Sequence, residues 1–142
     1  MQKRETGKYK PEAEINILIA EDEEYNFLFI SEILSEYNVN VYRAYNGKMA
    51  VDICASNREI NLVLMDVRMP VMDGYEAAKK IKKIRPDLPI IAQTAFAMEQ
   101  DRTQAIKEGC DDYISKPVNN ELLTDLIVKY APADFELKRI QK

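Results

Sequence analysis

This 142-residue chain contains no histidine. Imidazole is therefore excluded as general base, metal ligand or phosphoryl donor within it. Chemistry must run on carboxylates, lysines and hydroxyls. Cysteine is almost as scarce, and Cys54 and Cys110 lie far apart with no ligand-like spacing. They read as reduced, small apolar or helix-end residues of a cytoplasmic protein rather than as a structural disulfide. No apolar run approaches the length of a membrane span, and the charged N-terminus lacks a signal-peptide core. The 4 glycines form neither a P-loop nor a glycine-rich phosphate turn, which weighs against a nucleotide or flavin binder. A net charge of −4 argues against nucleic acid as a partner.

What is present is an ordinary globular composition, 46% hydrophobic and 31% charged, in a length that suits one domain. Residues 1–13 carry charge and Pro11 but no periodicity, and read as a linker or frayed terminus; the domain spans 14–131, and 132–142 form a C-terminal extension with a helical turn or loose chain. Between these limits, strand patterns at 16–20, 39–45, 61–66, 90–94 and 112–115 alternate with helical patterns at 24–37, 48–57, 75–84, 98–108 and 120–130. Phe27, Ile30, Leu34 and Tyr37 share one face of the first helix, and Leu122, Leu123, Leu126 and Ile127 face inward from the last. The second strand alternates apolar and polar residues. Lys79, Lys80, Lys82, Lys83 and Arg102 read as solvated helix faces. Five repeats of strand then helix imply an α/β, doubly wound, five-stranded parallel sheet with five helices on its two faces.

The third strand, Asn61-Leu62-Val63-Leu64-Met65-Asp66, is apolar until its last residue. An aliphatic run bounded by a turn suits a strand buried on both faces. Its aspartate then falls at the C-terminal edge of the sheet, where open α/β folds bind ligands; taken alone, it could equally cap the following turn. The other strands bring Glu21 and Asp22, Thr94 and Lys116 to the same rim. Carboxylates roughly 5 Å apart repel by about 3 kcal/mol per pair at an effective dielectric near 20. A hard cation such as Mg²⁺ relieves that repulsion. Asp66 can then attack phosphorus, with Lys116 and Thr94 on the phosphoryl oxygens.

Jointly, Glu21-Asp22, the run Leu64-Met65-Asp66-Val67-Arg68-Met69-Pro70-Val71-Met72-Asp73-Gly74, Thr94-Ala95 and Lys116-Pro117 resemble the receiver domain of two-component response regulators, over about residues 14–130. The stretches around Thr94 and Lys116 look most like receivers of hybrid sensor histidine kinases. The resemblance implies a flavodoxin-like strand order 2-1-3-4-5. It implies Asp66 as phosphoacceptor from a histidine kinase or histidine phosphotransfer domain, and Mg²⁺ on Asp22, Asp66 and the Arg68 carbonyl, with Glu21 acting through water. It implies Lys116 paired with Asp66, Thr94 and Tyr113 as switch residues, and a cis bond at Lys116-Pro117. It places the domain in the cytoplasm without membrane contact of its own, whether or not its parent is anchored, and leaves open a homodimer formed on phosphorylation.

This chain has Glu21 where the family often has a second aspartate. Arg68 and Phe96 occupy positions that in the family line the path of the hydrolytic water, and their bulk implies slow self-dephosphorylation. A single-domain response regulator is the alternative parent. A phosphatase resembling haloacid dehalogenases fits less well: it would place its nucleophile on the first strand with an aspartate two residues on, where residue 68 is arginine. Tyr113 as plain strand packing, and a receiver that binds without phosphorylation, are the remaining alternatives.

Overall fold

The computed structural model describes residues 15–95 and 98–140. The expected alternation is realised. Strands β1 (Ile15–Ala20), β2 (Val39–Ala44), β3 (Ile60–Asp66), β4 (Ile90–Thr94) and β5 (Asp112–Ser115) alternate with helices α1 (Glu24–Leu34), α2 (Gly47–Ser56), α3 (Gly74–Ile84), α4 (Glu99–Lys107) and α5 (Asn120–Tyr130). All neighbouring strands are parallel, in the order β2-β1-β3-β4-β5 of the flavodoxin-like fold. The reversal of strand order falls between β1 and β3, so the ends of those two strands define the ligand-binding crevice.

Each inner strand feeds two cores. Val63 and Met65 of β3 join Ala50, Ile53, Ala77 and Ile81 of α2 and α3. Leu62 and Leu64 point the other way and join Phe27, Ile30, Leu123 and Ile127 of α1 and α5. That two-sided burial is why β3 reads as an unbroken apolar run. Asn46, Asp73 and Asn119 cap α2, α3 and α5 by accepting from Met49 N, Glu76 N and Leu122 N. Both cysteines are buried and unpaired, and burial pushes their thiols up to about 12.

Four local expectations are corrected. Strand β2 is buried along its whole length rather than on one face, because Arg43 and Asn40 find polar partners inside. Helix α1 stops at Leu34, and Tyr37 lies beyond its end, where it bridges to Arg139. Leu122 is 54% exposed: Leu123 and Ile127, one turn apart, take the inward stripe of α5. Lys82 is not simply solvated; it donates to Asp111 Oδ2 at 2.7 Å and to Leu88 O at 2.8 Å, tying α3 to the start of β4 and β5. The segment after α5 makes one hydrogen-bonded turn, Phe135 N–H donating to Pro132 O, and is not loose beyond it: it pairs with residues 36–38. The expected linker at 1–13 lies outside the described residues.

Candidate functional site

Three loops at the C-terminal edge of the sheet begin with one further ladder bond past their strands. Glu21 N donates to Ala44 O at 2.9 Å, Val67 N to Gln93 O at 3.1 Å, and Lys116 N to Thr94 O at 2.9 Å. The backbone is thus fixed where the expected site residues sit. Glycine completes the loop between β3 and α3: a Cβ on Gly74 would lie 2.1 Å from the Asp66 carbonyl oxygen, so α3 can start this close to β3 only with glycine there.

These loops enclose a cleft of about 440 Å³ lined by Glu21, Asp22, Asp66, Arg68, Thr94 and Lys116. Tyr113 stands apart from it, half-buried in β5 against the α2–α3 core. The structure therefore gathers six of the seven expected residues. Glu21 and Asp66 are buried and Asp22 is exposed. One carboxylate oxygen from each lies within 4.8 Å of the others, the one such acidic, thiol or imidazole cluster among the described residues. Lys116 Nζ is 3.1 Å from Asp66 Oδ1 and 3.3 Å from Glu21 Oε1. Asp66 Oδ1 also accepts from Arg68 N at 3.3 Å. The Lys116–Pro117 bond is cis. Phe96 lies outside the described residues.

Charge is poorly balanced here, with three carboxylates around one ammonium. Burial, then a hydrogen bond from Asp66 to Glu21 and their repulsion, push the Asp66 carboxyl up to about 7 against the pull of Lys116. Burial works to lower the Lys116 pKa, but Asp66 and Glu21 outweigh it and the ammonium is held above its ordinary range. An all-oxygen donor set with excess negative charge and an open side at Asp22 suits a hard divalent cation. The residues present fit Mg²⁺.

Three supporting residues were not singled out from the sequence. Asn26 Nδ2 donates to Glu21 Oε1 and, at 3.2 Å, to Gln93 Oε1. Gln93 is fully buried beside Asp66, its register partner in β3. Arg43 grips the loop carrying Glu21 from the side of β2. Amides and arginines carry no motif of their own. The available signal was placement: Gln93 immediately precedes Thr94, and Asn26 follows Asp22 by one helical turn.

Residues 17–128 match the family model described as response regulator receiver domain. Hybrid signal transduction histidine kinase I of Dictyostelium discoideum is 36% identical over 119 residues, covering 78% of this chain and 7% of that protein. The chain likewise spans only 4% and 5% of the Dictyostelium hybrid kinases G and M. The polar-differentiation response regulator DivK of Brucella anthropi is 33% identical over 118 residues, 81% of this chain and 94% of DivK. Among solved structures, the receiver domain of sensor histidine kinase PA1611 from Pseudomonas aeruginosa, with a magnesium ion coordinated in its active site cleft, is similar at TM-score 0.76 and 32% identity, covering 83% of this chain and 98% of that one. A chain of the Saccharomyces cerevisiae complex between the histidine phosphotransfer protein Ypd1 and the receiver domain of Ssk1 is similar at TM-score 0.79 and 31% identity, covering 89% and 98%. No helix among the described residues is long and apolar enough to cross a membrane.

Proposed function

The chain belongs to the response regulator receiver domain family of two-component signalling, and on that premise we propose that Asp66 accepts a phosphoryl group from a phosphohistidine on a partner protein. One observation carries the reading: Lys116 sits between Asp66 and Glu21 in a cleft where three carboxylates converge. An ammonium placed there holds the acceptor before transfer and meets a phosphoryl oxygen after it.

Asp22, Asp66 and the Arg68 carbonyl would hold Mg²⁺, with Glu21 acting through water. Bound there, the ion supplies charge neutralisation for the phosphoryl oxygens. Asp66 attacks phosphorus in line, forming an acyl phosphate as the N–P bond breaks and its electron pair returns to the partner's imidazole. Thr94 donates its hydroxyl to a phosphoryl oxygen. Tyr113, half-buried beside that strand end, turns inward and reshapes the face made by α4, β5 and α5.

The donor is a histidine kinase or a histidine phosphotransfer domain, and the Ypd1 complex of a similar receiver supports that class. Likeness to the Dictyostelium kinases supports a hybrid-kinase parent. We read the domain as working in the cytoplasm. Intact mass after incubation with acetyl phosphate tests the acceptor. The expected result is a single phosphoryl adduct that requires Mg²⁺ and is absent from Asp66→Asn; an equal adduct on that variant would overturn the assignment.

A further inference from the structure

Arg43 is a strand residue whose charge lies inside the protein, with a side chain only 1% exposed. Its Nε and Nη2 both donate to the Glu21 carbonyl, at 3.2 and 3.1 Å. Its Nη1 donates to Glu24 Oε2 at 2.7 Å. Its guanidinium carbon lies over two rings, 4.4 Å from the Phe27 centroid and 4.3 Å from that of Tyr45. Two ring contacts and three hydrogen bonds together hold the guanidinium against rotation and displacement.

The carbonyl it grips belongs to the peptide joining Glu21 to Asp22. Two donors on one oxygen fix the plane of that peptide, and with Glu21 N bound to Ala44 O the loop is held on both sides of Glu21. Asp22 is exposed, so the backbone that carries it sets where its carboxylate stands. Glu24, on the next turn of chain, is tied to the same guanidinium.

We infer that Arg43 is a positioning residue for the cation site: it presets the β1–α1 loop so that Asp22 stands opposite Asp66 before any metal arrives. The inference rests on the reading of the rim as a Mg²⁺ site. Lysine at this position keeps the charge but offers a point donor in place of the planar fork, so it does not replace arginine here.

Calorimetric titration of the purified chain with Mg²⁺ alone tests this, comparing the parent, Arg43→Lys, Arg43→Met and Lys82→Met. The last breaks the tie to Asp111 and Leu88 without touching the loop, and so reports the effect of general loosening. Mg²⁺ affinity is expected to fall about tenfold in Arg43→Lys and at least as far in Arg43→Met, as for other residues that orient metal ligands. Lys82→Met is expected to melt earlier with its affinity unchanged. Arg43→Lys within about twofold of the parent would show that charge suffices and overturn the positioning role, as would an equal loss in Lys82→Met. A parent that binds no Mg²⁺ would remove the site reading itself, and this inference with it.

Discussion

Glu21 is fully buried, and a buried carboxylate must be paired or neutralised. Its Oε1 takes the Lys116 ammonium and the Asn26 amide, and its Oε2 accepts from Glu23 N at 3.2 Å. Because the carboxylate only accepts, Asn26 must present its NH₂ there, and the same nitrogen reaches Gln93 Oε1. The orientation of both amides follows from one charge. Gln93 Nε2 has no partner among the described residues, so the network they form is incomplete at that one atom. Asn26→Leu would leave two buried acceptors short of a donor, at a cost of about 1–3 kcal/mol. Adding Gln93→Leu removes one of them, so the double variant should lose less than the sum of the singles. Urea unfolding of the four proteins in that cycle measures the coupling; additive losses would mean that the two amides do not act together.

At the scale of elements, the segment after α5 works as a strap across the edge of the sheet opposite the cleft. Asn38 N donates to Lys138 O at 3.0 Å, and Ile140 N to Glu36 O at 2.9 Å. The Asn38 side chain bonds Glu136 O and Lys138 N, while Phe135 and Leu137 pack onto the α1–α5 core. Ending the chain after Ala131 would uncover that core, and a loss of about 2–4 kcal/mol is expected from two half-buried apolar side chains and their backbone pairing. Denaturant unfolding should show it while Mg²⁺ affinity stays unchanged; undiminished stability would mean the strap merely rests on the surface. The sequence could not announce this contact, because an isolated pairing of residues about a hundred positions apart has no periodicity to read. Strands β1 and β3 were legible for the opposite reason, since burial on both faces writes itself as an apolar run. The acids of the rim were legible because each ends such a run; Lys116 follows the short strand Asp112–Ser115, buried only at Ile114, and was legible through its pairing with Pro117 in the motif set. Arg43 looked like the polar half of an alternating strand, and only the positions of Phe27, Tyr45 and the Glu21 carbonyl reveal its place inside.

For the molecule as a whole, the fold, the proton on Asp66 and the cation are linked. A carboxyl raised to about 7 binds more protons in the native chain than in the unfolded one, whose carboxyls titrate in their ordinary range. The stability of the metal-free protein therefore falls as pH rises from that range through about 7. A cation that needs ionised Asp66 competes with the same proton, so it binds best where the metal-free fold is least favoured by it. Mg²⁺ binding only the native state raises the melting temperature, and the rise should be larger at about pH 8 than at about pH 5. Asp66→Asn should flatten the metal-free pH profile and lose most of the Mg²⁺ effect, because it removes the titrating group and one of the proposed ligands together. Thermal melts of both proteins in chelator and in Mg²⁺, across that range, separate the two contributions. An Mg²⁺ rise of equal size at both ends would place the competing proton elsewhere, leaving the Lys116 ion pair to hold Asp66 ionised even without metal.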